Sequence, residues 1–122
     1  MADAWNRVKH EIDSFDPLFN TADIGIGMLV RVSEESVGDM YAMFEVNTLG
    51  PIRVKQLFLS MLRRSKAARI VMMSSSLGSI AEATDMPVLI RNVGYPGSCA
   101  SKSALNLPTA MTLSSEVERA RF

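Results

Sequence analysis

Tyr95-Pro96-Gly97-Ser98-Cys99-Ala100-Ser101-Lys102-Ser103-Ala104-Leu105-Asn106 is the stretch on which the reading of this chain turns. A residue before proline is pushed out of the helical region, so Tyr95 belongs to an extended segment and a helix is predicted from about Ser98. Ala100, Ala104, Leu107 and Met111 fall on one face of that helix. Ser98 and Lys102 stand at i and i+4, which makes them neighbours on its surface. Pro108 lies further along, where a proline removes one backbone bond and crowds the carbonyl of Ala104, at roughly 3 kcal/mol in a helix interior.

Working upstream, Arg69 to Ser74 holds the continuous apolar run Ile70, Val71, Met72 and Met73 of a buried strand. The segment from about Ser75 to Gly97 reads as irregular. Before the strand, Ser33 is a plausible N-cap, with Glu34 and Glu35 suited to the positive end of the helix that follows. That helix is predicted to run, with a disturbance, to about Ser65. Its second half places Val54, Leu57, Phe58, Met61 and Leu62 on one face, with Arg53, Lys55 and Arg64 largely off it. The disturbance is expected at Gly50-Pro51: Pro51 has no N–H, so the Asn47 carbonyl loses its i+4 donor and needs another, such as water. Asp23 to Val32 reads as a loop in which Gly25 and Gly27 serve turn chemistry rather than phosphate binding. Leu18-Phe19-Asn20-Thr21-Ala22 is a short strand candidate, and Pro17 ends a first helix over about Ala2 to Phe15 marked by Trp5, Val8 and Ile12 at i, i+3 and i+7. Alternating helices and strands predict an α/β chain with a parallel sheet.

With 122 residues the chain has room for one domain with a modest core. Its 48% hydrophobic and 21% charged content is that of a soluble globular protein. Thirteen basic residues balance thirteen acidic ones, so no global field draws nucleic acid or an anionic membrane. Arg63, Arg64, Lys66 and Arg69 form a short cluster without interleaved aromatics, which reads as a solvated helix end. The single cysteine, Cys99, precludes an internal disulfide framework and suits a cytoplasmic setting. No apolar run approaches the ~20 residues of a membrane span, and no secretory leader is evident. His10, between Lys9 and Glu11, has no ligand partners and reads as solvated, so no metal site is expected.

Taken with Phe44-Glu45-Val46-Asn47 and Arg69-Ile70-Val71-Met72-Met73-Ser74-Ser75-Ser76-Leu77-Gly78, the opening stretch resembles the active-site half of a short-chain dehydrogenase/reductase. Ser101-Lys102 is similar to the end of that family's Y-x-x-S-K pattern. Leu18 to Ile24 is similar to its N-N-A-G strand end, and Phe44 to Gly50 to the helix carrying its asparagine. Ser75, three residues before Gly78, falls on its serine. The insert with Asp85, Asn92 and Tyr95-Pro96 is similar to a subset with an extended loop. The resemblance covers almost the whole chain. It implies a partial Rossmann-like doubly wound parallel sheet, truncated at both ends, forming one domain over residues 1–122. It implies an oxidoreductase that uses NAD or NADP on a small carbonyl or alcohol, with Asn47, Ser75 and Lys102 catalytic and Asn20, Ala22 and Lys102 at the cofactor. Hydride arriving at a carbonyl builds negative charge on oxygen, so an acid must donate a proton. In the family this is a tyrosine, whose phenol, with a free pKa of about 10, is shifted toward the working range by the lysine ammonium. The family's lysine also bonds the nicotinamide ribose, its serine orients the carbonyl, and a water at the asparagine relays protons to the lysine.

Several positions depart from that pattern. Ser98 stands where the tyrosine belongs, and a serine hydroxyl is a far weaker acid on a shorter side chain. Tyr95 is the obvious substitute acid nearby, but it precedes Pro96 in an extended segment outside the helix, so packing or substrate-loop contact is its expected role ahead of proton donation. Asp23 replaces the glycine of N-N-A-G, adding bulk and negative charge where a glycine would admit an anionic dinucleotide. Thr21 replaces the second asparagine. The G-x-x-x-G-x-G loop has no counterpart, and neither does the residue that selects NAD or NADP. The expected function is thus an impaired oxidoreductase of this type; the alternatives are a non-catalytic dimerisation module or a truncated inactive copy. The expected partner is a second copy or a full-length relative, met through the helices over Ser36–Ser65 and Ser98–Glu118. Cys99 has little to activate it and reads as inert.

Overall fold

The structure, a computed structural model, describes residues 2–14, 16–27, 29–85, 87 and 94–119. Strands β1 (Pro17–Asn20) and β2 (Arg69–Met72) pair in parallel, in register from Pro17 opposite Arg69 to Asn20 opposite Met72. Helix α1 (Ala2–Glu11) precedes β1 and lies against the later helix α3 (Gly50–Leu62), where the Trp5 and Phe58 rings meet edge-on at 5.3 Å and 88°. Helix α1 ends at Glu11, short of the expected Phe15, which itself lies outside the described residues. Asp13 and Ser14, whose side chains compete for local backbone groups, follow it.

The long connection from β1 to β2 is where sequence and structure differ most usefully. Val32–Glu34 is one 3₁₀ turn, and helix α2 (Val37–Phe44) starts later than the expected Ser33 cap. Ser36 is the true cap: its hydroxyl accepts the Asp39 N–H at 3.3 Å. The disturbance expected near Gly50-Pro51 is a π-helical turn over Glu45–Leu49, closed by the Gly50 N–H on the Glu45 carbonyl. Pro51 sits in the first turn of α3, where its missing N–H is harmless to that helix. The wider turn carries Asn47 at its centre. Gly27 adopts φ +62°, in keeping with its reading as a turn residue, and Leu29 is in the same left-handed region at φ +63°.

After β2 come a 3₁₀ turn (Ser76–Gly78) and a short helix α4 (Ile80–Asp85), within the segment expected to be irregular. The Ser79 hydroxyl accepts the Glu82 N–H at 3.3 Å, so Ser79 caps α4. Asn92 lies outside the described residues. Helix α5 (Pro96–Arg119) starts just ahead of the expected Ser98, with Pro96 at its first position and the Cys99 N–H on the Tyr95 carbonyl at 2.8 Å. It continues through Pro108. Its buried face is not the one that apolar spacing selects. Among the described side chains, Ser101, Lys102 and Leu105 are buried, as is the backbone at Gly97, whereas Leu107 and Met111 are 67% and 61% exposed. Met43, Met61, Leu62 and Leu105 form the apolar core. The cross-strand pair Phe19 and Val71 lies exposed on the sheet. Among the described residues no helix is long and apolar enough to cross a membrane.

Candidate active site

The polar centre of the molecule forms where the π turn packs on α5. Asn47 is fully buried there, and its amide holds three groups at once. Its Oδ1 accepts the Ile24 N–H at 2.9 Å, and its Nδ2 donates to the Ile24 carbonyl at 2.9 Å and to the Ser101 hydroxyl at 3.1 Å. Both amide N–H donors are therefore in use. Beside it, the Thr48 hydroxyl donates to the Ser101 carbonyl at 2.8 Å, and the Ser101 hydroxyl donates to the Ser98 carbonyl at 2.8 Å. These bonds explain how a helix face bearing serine and lysine can be buried: each polar group finds its partner.

Lys102 follows Ser101 into this centre and is 2% exposed. Its Nζ donates to the Met73 carbonyl at 2.9 Å and stands 3.1 Å from Asp23 Oδ1. The carboxylate comes from the residue preceding Ile24, the very backbone that Asn47 grips. Asn47 thus steadies both ends of the ion pair.

A third segment closes the site from the β2 side. The Ser75 hydroxyl accepts the Leu77 N–H at 3.2 Å and caps the 3₁₀ turn. Gly78 ends that turn against α5, and its carbonyl accepts the Ser103 hydroxyl at 2.9 Å and Asn106 Nδ2 at 3.2 Å. Ser74 donates to Asn106 Oδ1 at 2.5 Å. A β-carbon on Gly78 would lie 3.0 Å from the Lys102 carbonyl carbon, the Lys102 Cβ and the Ser103 nitrogen, so any larger residue would have to push the turn and α5 slightly apart.

At the start of α5, Glu35 has a use that differs from the expected one at the positive end of the preceding helix. Its Oε2 accepts the Gly97 N–H at 2.8 Å and so caps α5 instead. Its Oε1 is buried with no hydrogen-bond partner among the described residues. Burial pushes the Cys99 thiol up from its ordinary pKa and the Glu35 charge adds to the effect, against lowering by backbone hydrogen bonds at Tyr95 and Cys99 itself, which fits the reading of Cys99 as inert.

Of the residues singled out in the sequence, the structure gathers Asn47 and Lys102 into one bonded group. Ser75 is exposed on the neighbouring turn. Ser98 lies in the first turn of α5, with Tyr95 half-buried just outside the helix. Asn20 is buried at the end of β1 and donates to the Met72 sulfur at 3.2 Å, while Ala22 is exposed beyond it. Asp23, Thr48, Gly78 and Glu35 as a cap of α5 were not readable as parts of this centre, because each acts on a segment distant in sequence. These residues do not fit a nicotinamide dinucleotide. Lys102 donates to the Met73 carbonyl and is paired with Asp23 inside the protein, and Asp23 presents a carboxylate to any anionic ligand arriving there.

Residues 1–120 match the family model described as short chain dehydrogenase. Over 70 residues, 57% of this chain and 42% of the relative, the sequence is 34% identical to the protein named C-signal of Myxococcus xanthus. Among solved structures, the carbonyl reductase Sniffer of D. melanogaster superposes with a TM-score of 0.79 at 27% identity, over 98% of this chain and 52% of that one. The NADPH-bound carbonyl reductase from chicken fatty liver gives 0.73 at 27% identity, over 91% of this chain and 44% of that one. The chain spans about half the length of these relatives.

Proposed function

The chain belongs to the short-chain dehydrogenase family, and we propose that within it this molecule is an impaired oxidoreductase, NAD(P)-linked and directed at small carbonyls or alcohols by descent. Ser98 carries this reading. It stands one helical turn before Lys102, where a proton donor is required, and its hydroxyl is too weak an acid to serve. The similarity to carbonyl reductases supports the substrate class. What the chain keeps is the frame: Asn47 and Thr48 hold Ser101, and Lys102 follows at a fixed place on α5. Ser75 accepts one backbone hydrogen bond and retains a hydroxyl hydrogen that can be donated to a substrate oxygen. The frame can orient a carbonyl, but it cannot protonate the oxygen.

The direct test is reduction of a panel of small ketones and aldehydes with NADPH or NADH. No turnover above the protein-free rate is expected. Saturable, cofactor-dependent reduction by the unaltered chain would refute the impaired reading.

A non-catalytic association module is the second reading, and exposed apolar stripes on two helices favour it. Val37 and Tyr41 stand at i and i+4 on α2, 65% and 74% exposed, and Leu107 and Met111 repeat the spacing on α5.

A further inference from the structure

We propose that Asp23 is the fixed counter-ion of Lys102 and removes that lysine from proton transfer. The proposal rests on Lys102 standing at the family's lysine position, and it goes further by giving Asp23 a role. A buried ammonium needs an opposite charge or several acceptors, since leaving it unpaired in a low-dielectric site is strongly unfavourable. Ser98 offers no ionisable group one turn away. The Asp23 carboxylate, 3.1 Å from Nζ, supplies the charge, and the Met73 carbonyl at 2.9 Å supplies a second acceptor.

The pair is held from both ends by one side chain. Asn47 fixes the Ile24 backbone through its N–H and its carbonyl, which places the adjoining Asp23. It also bonds the Ser101 hydroxyl, which places the adjoining Lys102. The Lys102 side chain is 3% exposed and that of Asp23 45%, so the ammonium is buried while its carboxylate partner reaches solvent. A lysine acidifies a neighbouring phenol through its unneutralised positive charge. With a carboxylate at 3.1 Å that charge is matched, and Asp23 decides whether Lys102 can act on a group at position 98.

The test places a phenol there and reads its ionisation by absorbance, without cofactor or substrate. S98Y and S98Y/D23N are each titrated as difference spectra against the parent carrying the same residue at position 23. Glu35, Cys99, Tyr41 and Tyr95 are present in both and cancel. The introduced phenol is expected to titrate near its ordinary value of about 10 in S98Y. Replacing Asp23 should lower it by one unit or more, a tenfold gain in phenolate at a given pH. An equal phenol pKa in the two variants, or a phenol already strongly acidified in S98Y, would overturn the proposal.

A second arm stands if the tyrosine variants do not fold. Thermal unfolding of D23N, K102M and D23N/K102M should show that D23N lowers Tm markedly when Lys102 is present and little when it is methionine. Equal losses in both backgrounds would overturn the counter-ion role. Neither arm measures oxidoreductase chemistry, so failure of the functional reading above would leave both results unmoved.

Discussion

The Asn47 amide, buried and bonded at every N–H, joins the loop after β1 to the helix that carries Lys102. Truncating it removes the partner of the part-buried Ile24 N–H and carbonyl and of the buried Ser101 hydroxyl, and an unsatisfied buried group costs about 1–3 kcal/mol. Asn47→Ala is therefore expected to lose about 2 kcal/mol or more, read by urea denaturation; a loss under about 0.5 kcal/mol would show that the clamp contributes little. Asn47 and Lys102 stood out in the sequence because they sit in recognisable motifs. The partner of Lys102 did not. Asp23 looked like an obstacle to a ligand, since nothing in its neighbours says that a lysine far along the chain will fold onto it. The same holds for Glu35, whose charge suited one helix end while its carboxylate caps another.

Among the elements, the apolar face of α3 followed directly from the residues, and Pro51 correctly foretold a break, realised as the π turn. The run Ile70 to Met73 foretold a strand, but not its setting: β2 ends at Met72, and instead of the expected buried strand Val71 and Met73 are exposed and Ile70 and Met72 half-buried, because helices do not cover both faces of so small a sheet. The face of α5 did not follow. Apolar spacing selected Leu107 and Met111, but the packing surface is Ser101, Lys102 and Leu105, because Asn47, Thr48, Asp23 and Met73 satisfy the polar groups there. Helix α4 was missed although Ser79-Ile80-Ala81-Glu82 has the spacing of a capping box. Gly78 is the contact that sets the distance between the 3₁₀ turn and α5. Gly78→Ala must push against backbone atoms of Lys102 and Ser103 rather than a flexible side-chain tip. Overpacking of this kind costs about 1–3 kcal/mol, which a lowered denaturation midpoint should register. An unchanged midpoint would mean that the turn can retreat without loss.

At the scale of the whole molecule, a two-stranded parallel sheet leaves Phe19 and Val71 exposed, and α2 and α5 carry apolar side chains at their surfaces. Parallel sheets ordinarily have both faces covered. Apolar area is worth roughly 25 cal/mol per Å² when removed from water, so association through such surfaces is favoured. Sedimentation equilibrium is expected to find self-association, and a folded monomer persisting at high concentration would exclude it. The architecture as a class was legible from the helix–strand alternation, whereas the exposed sheet face was not, since burial on each side depends on which helices reach it. The central claim is that this chain keeps the family's frame without a working cofactor and proton-transfer site. Calorimetric titration with NADPH and NADH tests it most directly. Asp23 stands beside the lysine and presents a carboxylate to an anionic dinucleotide, so no saturable site tighter than about millimolar is expected. A micromolar dissociation constant for either dinucleotide would contradict the account.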